Sequence, residues 1–266
     1  MIREFVERKV RRQIVRRSLL ISSMAFIAIL ALWNSPSMAG VAHPLRMFID
    51  NIHGALINLA MVLSGGSVEG FTLSSLGNYT ITFAGGHEAV YLPAGYLGSA
   101  LLGSVMFFLV NRAPHLLRGL AMLTGAFTVG FLVLFIRPDA AGDLISMIIC
   151  IGFGIALMVL GWKGRGDINQ LRSWRSITQI IMTIVALMTA LHIVLDLPYV
   201  LVAPARIEDG TIVNTVAEFA TEVMPGISVP VIAYSWSAIS ILLVGIAFYF
   251  SIPRRLKDIP KNDDIL

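Results

Sequence analysis

Apolar positions along this chain gather into seven long runs: Ser18–Trp33, Met47–Leu63, Pro93–Val110, Gly119–Ile136, Leu144–Trp162, Ile177–Leu197 and Val229–Phe250. Each approaches the roughly 20 residues with which a helix crosses a bilayer. One interval keeps a different rhythm. Between Gly66 and Leu92, in "GSVEGFTLSSLGNYTITFAGGHEAVYL", Val, Phe, Thr and Tyr alternate with polar residues, and Gly77-Asn78 stands at the centre. That pattern predicts a β-hairpin. Two isolated strands are marginal in water, so the hairpin is expected to lean on helices or lie at the membrane surface. The predicted fold is an all-α polytopic membrane protein of about six to seven hydrophobic helices with one membrane-associated β-hairpin. Residues 1–17 read as a basic tail, 18–250 as a single membrane domain and 251–266 as a charged C-terminal tail.

Composition narrows the class further. The chain has 266 residues, 56% hydrophobic and 14% charged, with mean hydropathy +0.80. A water-soluble domain of this size would need far more polar surface. Seven basic residues precede the first run, and "ALWNSPSMAG" is a poor cleavage site, so that run is expected to stay as an anchor. The lone Cys150 excludes an intrachain disulfide. The net charge of +4 comes from basic residues beside the apolar runs, where they meet lipid headgroups, and implies no nucleic-acid partner.

Orientation follows from where Lys and Arg lie. The N-terminal tail holds seven, Arg112 and Arg118 make two, residues 162–175 hold four and residues 253–261 hold four. If one early run does not cross, these 17 of 20 fall on one side, leaving Arg46, Arg137 and Arg206 opposite. If all seven cross, the bias vanishes, contrary to the positive-inside rule. The polar run Met47–Leu63 is the expected non-crossing one, since polar groups at membrane depth must be covered by protein or water. Both termini are then cytoplasmic, in an integral membrane protein expected in a bacterial cytoplasmic membrane, its partners lipids and other membrane subunits.

Chemistry concentrates in that run. Asp50, Asn51, His53 and Asn58 sit in apolar surroundings, and ionisable residues there mark a functional site by default. His192 and Asp196, spaced i, i+4, point the same way in another run. Of the remaining candidates, His87-Glu88 is half a zinc motif placed in the hairpin and His43 and His115 flank membrane runs. Gly152 and Gly154 suit helix packing, and Trp162, Trp174, Trp236 and Tyr234 suit an interfacial belt or the core.

Several of these stretches together resemble a known family. "LSGGSVEGFTLSSLGNYTITFAGG", then "LPAGYLGSALLGSVMFFLV" and later "RPDA", are similar to the site-2-protease-related membrane metallopeptidases, in particular the M50B-like group. The specific combination is Ser64-Gly65-Gly66 with Ala94-Gly95-Tyr96-Leu97-Gly98-Ser99. The resemblance implies a helix bearing His-Glu-x-x-His before the Gly-Gly pair, with two imidazoles for zinc and a carboxylate for zinc-bound water. Counting back from Gly65-Gly66 places His53 on the first zinc histidine, Gly54 on the catalytic glutamate and Ile57 on the second histidine. "LHIVLDLP" and "VNTVAEFATE" are similar to later blocks, with Asn214-Thr215-Val216 where the family has Ser-Asp-Ala. Catalytic zinc needs three protein ligands and an open position. The box is therefore degenerate, and zinc is not expected.

Three accounts of Asp50, His53, His192 and Asp196 remain at this stage. They are relics of an ancestral site paired by hydrogen bonds inside the bundle, or they form a rewired metal or proton site, or His53 or His192 ligates haem or a pigment. The first is preferred, with no cofactor expected and the chain acting as a catalytically inactive scaffold or accessory subunit of a membrane complex. The enzyme alternative is a metal-dependent intramembrane protease with atypical ligands.

Overall fold

The computed structural model describes residues 20–21, 23–28, 31, 39–73, 79–113, 115–135, 141–163, 168–206 and 211–252. The basic tail, the C-terminal tail beyond residue 252, the tip of the hairpin and much of the first apolar run lie outside them; Ser251, expected to open that tail, is the last residue of a helix. The chain forms helix α1 (Ala39–Leu63), strands β1 (Ser67–Leu73) and β2 (Tyr79–Ala84), and helices α2 (Glu88–Arg112), α3 (Leu117–Phe135), α4 (Ala141–Lys163) and α5 (Ile168–Ala190). Short helices α6 (His192–Leu195), α7 (Leu197–Val200) and α8 (Thr215–Glu222) follow, and α9 (Val229–Ser251) ends the bundle. This is an all-α membrane bundle with a small hairpin.

Among the described residues, α2, α3, α9 and the Leu144–Lys163 part of α4 are long and apolar enough to cross a membrane, while Ile177–Ala190 is a shorter apolar helix. Their large side chains are oriented for a non-aqueous surround: Leu123 and Leu134 on α3 are 70% and 75% exposed. In water such surface would cost about 25 cal/mol per Å², whereas lipid tails accept it.

Small residues set the helix spacing. A side chain at Gly103 of α2 would strike the backbone of Ala186 and Ala190, so α2 and α5 touch there main chain to main chain. Gly125 of α3 and Gly154 of α4 do the same for that pair. Gly152, by contrast, faces open space and plays no part in packing. The core around this frame joins Phe48, Ile49 and Ile52 of α1 to Met106 and Phe107 of α2 and Met182 and Val185 of α5.

The hairpin is antiparallel, Ser67 pairing with Ala84 and Leu73 with Tyr79, with an irregularity between Val68 and Gly70. It is shorter than the interval Gly66–Leu92 predicted. His87 is the residue before α2 and Glu88 its first residue, so this pair opens a helix and is not in the hairpin. Leaning on the helices is literal: Met61 of α1 lies under the hairpin base, where a side chain on Gly66 or Gly86 would meet its sulfur. Phe83 packs on Tyr91 of α2 with ring centroids 4.8 Å apart. Gly65, Gly85 and Gly86 all hold positive φ, which only glycine takes without strain.

The largest departure from the sequence pattern lies in Ile177–Leu197. The run is not one helix: α5 stops at Ala190, α6 begins at His192, and a second break falls at Asp196. Pro198, near the start of α7, explains the second break, because it has no N–H to continue the ladder. The first has no Pro or Gly. Instead the hydroxyl of Ser240 on α9 donates to the Ala190 carbonyl at 3.0 Å, inserting a side chain into the helical ladder.

Candidate functional site

Arg46, Asp50 and His53 occupy positions i, i+4 and i+7 of α1, one face of the helix. His192 and Asp196 come from the broken segment opposite, and Gly95 and Tyr96 from α2. All four candidate side chains are deeply buried: His53 and His192 at 0% exposure, Asp50 at 1% and Asp196 at 5%. The structure brings them together.

His192 is the hub. Its Nε2 donates to Asp50 Oδ1 at 2.8 Å and lies 3.2 Å from Asp196 Oδ2. Its Nδ1 faces His53 Nδ1 at 3.0 Å, one nitrogen donating to the other. His53 completes its pairing with a backbone hydrogen bond at Gly95. Asp50 binds His192 and not His53. Arg46 closes the far side, its Nη2 donating to Asp196 Oδ1 at 3.2 Å and its Nε lying 3.7 Å from Asp50 Oδ2. Tyr96 O–H reaches Asp196 Oδ2 at 3.5 Å, and its ring packs edge-on to His53 with centroids 4.2 Å apart.

Two positions in the motif Ala94–Ser99 thus serve the cluster directly. A side chain at Gly95 would lie 2.5 Å from His53 Cε1 and Nε2, so the imidazole fills the space that glycine leaves. Sequence reasoning missed Gly95, Tyr96 and Arg46 as parts of the site. The Arg46–Asp50–His53 spacing was the available signal, because it puts all three on one helix face.

Buried charges are tolerated only when paired and hydrogen-bonded. This network meets that need largely by itself, one guanidinium and one imidazole facing two carboxylates. Asp50, His192 and Asp196 also offer one nitrogen and two oxygens within 4.8 Å of one another, a donor set that divalent cations accept.

Gly54 and Ile57, the other two positions where the resemblance expected site residues, add nothing to this chemistry. Gly54 has no side chain, and Ile57 is buried in the apolar cluster with Met61, Tyr91 and Leu92. Thr215 is the first residue of α8, buried at 2%, and its hydroxyl has no partner among the described residues. Its neighbour Asn214 caps α8 by accepting from the Val216 and Ala217 N–H groups, while its amide donates to Val200 and Ala203 carbonyls at 2.9 Å. Nearby, Glu218, buried at 1%, accepts from Arg206 Nε at 2.9 Å. That hydrogen bond raises the Arg206 guanidinium above its ordinary value. Asn51 and Asn58 lie on the adjacent face of α1, and their amide atoms have no partner among the described residues. Cys150 is buried in the core, as is Trp236, whereas Trp162 and Tyr234 are exposed.

A family model described as Peptidase M50B-like matches residues 22–248. No curated protein and no solved structure matches the chain significantly.

Proposed function

Because the chain belongs to the Peptidase M50B-like family, we propose that it is a catalytically inactive member, an integral membrane protein serving as scaffold or accessory subunit of a membrane complex. The family implies zinc, and the residues at this chain's box do not fit it. Gly54 supplies no base, Ile57 no ligand, and the Nδ1 of His53 is turned to His192. The observation that carries the reading is the use of the remaining donors. Asp50, His192 and Asp196 hold one another and Arg46, so the groups a metal centre would need free are spent on internal pairing. The site keeps the fold together, and function falls to the surfaces around it. Partners are then lipids and other membrane subunits, in a bacterial cytoplasmic membrane, with no nucleic acid and no cofactor.

The test is purification from native membranes in mild detergent, with co-purifying subunits identified and cleavage of transmembrane substrates assayed. A stoichiometric partner and no cleavage are expected. Substitution of His53 by Ala should alter assembly or stability alone. Cleavage abolished by chelators and by Asp50→Asn would overturn the reading and favour the second one, a metal-dependent protease with atypical ligands, which the closeness of Asp50, His192 and Asp196 supports. A haem- or pigment-ligating role requires His53 or His192 to give up a bond it already makes.

A further inference from the structure

Of the five side chains in the polar cluster, four are 0–5% exposed, and Arg46 alone reaches the outside, with 31% of its side chain accessible. It is also the one permanently charged cation, since a guanidinium does not lose its proton in proteins. Its two nitrogens face the two carboxylate oxygens that His192 does not use, Asp196 Oδ1 and Asp50 Oδ2. It stands at the mouth of a set of donors that is otherwise complete for a divalent cation.

The spacing of that set is informative. Zinc bonds of about 2.0–2.1 Å at tetrahedral angles place neighbouring donors about 3.3 Å apart. His192 Nε2 lies 2.8 Å and 3.2 Å from its two carboxylate oxygens, a hydrogen-bonded approach slightly closer than that, and the three donors fall within 4.8 Å of one another, so small shifts would bring them to zinc spacing. Two carboxylates and one imidazole would also balance a doubly charged ion, once the guanidinium is gone. To become a metal centre the cluster would exchange the Arg46 cation and the His192 Nε2 proton for the ion.

We propose that Arg46 is a built-in plug, a tethered cation occupying a site that Asp50, His192 and Asp196 would otherwise offer to a divalent metal ion. The ligand set is not the one the family box supplies, since it uses neither Gly54 nor Ile57. The inference rests on the reading of the wild-type chain as free of metal and proteolysis. It adds that one residue maintains that state.

The experiment compares the full-length wild-type chain with Arg46→Gln and Arg46→Lys, each expressed with and without added Zn²⁺, purified in mild detergent and analysed for bound metal and thermal stability. Wild type and Arg46→Lys are expected to hold no stoichiometric zinc and to keep a Tm indifferent to Zn²⁺. Arg46→Gln is expected to bind about one zinc per chain, with a Tm that rises on adding Zn²⁺ and falls with chelator. Adding Asp196→Asn to Arg46→Gln should abolish the binding. If Arg46→Gln folds only when zinc is supplied, the metal is replacing the guanidinium and the proposal stands. If it stays metal-free while folded, or fails to fold even with zinc, the plug is refuted while the inactive reading survives. Zinc bound stoichiometrically by the wild type would instead refute both.

Discussion

Gly95 and Gly98 stand one helical turn apart in α2, and a methyl group added to each should have opposite effects. At Gly95 it would lie 2.5 Å from His53 Cε1 and Nε2 and 2.8 Å from Ile57 Cδ1. Carbon atoms rest about 3.5–4.0 Å apart, so the imidazole must retreat by about 1 Å. It cannot retreat freely, because its Nδ1 is 3.0 Å from His192 in a fully buried cluster. Overpacking costs about 1–3 kcal/mol and each weakened hydrogen bond about 1 kcal/mol. Against this stands about 1 kcal/mol gained by replacing a helical Gly with Ala. The net expectation for Gly95→Ala is about 2–3 kcal/mol of destabilisation. At Gly98 the added carbon meets only Leu56, at 3.6 and 3.8 Å, which is ordinary contact. Gly98→Ala should therefore be neutral or stabilising by up to about 1 kcal/mol. Equilibrium unfolding in mixed micelles reads both, and combining Gly95→Ala with His53→Ala should cost less than the sum, since the methyl then enters vacated space. Equal effects at the two glycines, or strict additivity in the double variant, would refute the placement of His53 against α2.

Three other expectations follow from the same geometry. Asn214→Ala should cost about 2–4 kcal/mol, losing the α8 cap and leaving two carbonyls without their donor, and Asn214→Asp should recover only the cap portion; unfolding measurements separate the two. Because Ser251 is buried, the accessibility test uses single cysteines in the two tails, at positions 18 and 262, which should label from the same, cytoplasmic side of sealed vesicles; labelling from opposite sides defeats the non-crossing early run. Arg206→Ala should destabilise by about 1–3 kcal/mol by leaving the buried Glu218 carboxylate unpaired; because Arg206 is partly exposed the loss belongs at the lower end, and a neutral result would show that water reaches Glu218.

Much of the architecture was legible because apolar runs and strand alternation are local signals. The runs at 93–110, 144–162 and 229–250, and the run from 119 as far as it is described, became helices, and the alternation after Gly66 became two strands. The upper limit of the hairpin was lost because "HEAVYL" suits a helix start as well as a strand, and only the packing of Tyr91 on Phe83 and the core decides. The break at Leu191 was invisible for a stronger reason. Its cause is a hydroxyl 50 residues downstream, and no local pattern carries that. At the site, Asp50, His53, His192 and Asp196 could be named as candidates because charges in apolar runs stand out. Which atoms meet depends on the bend before His192 and on the missing side chain of Gly95, and both are tertiary facts.

The hydroxyl of Ser240 on the Ala190 carbonyl has a consequence for biogenesis. A chain enters the membrane from its N-terminus, so the first half of the cluster, Arg46, Asp50 and His53, arrives long before the second, 142 positions separating Asp50 from His192. Pro198 marks the second break in the Ile177–Leu197 run locally, but the contact at the first break awaits Ser240 of α9, 50 residues after Ala190. Until then the α1 imidazole lacks His192, and the Asp50 carboxylate has only Arg46 of its own helix beside it. The last of the described helices is thus the one that secures the bend beside His192, and a chain interrupted before it carries a half-paired cluster in its apolar interior, a mark by which unfinished molecules differ from finished ones.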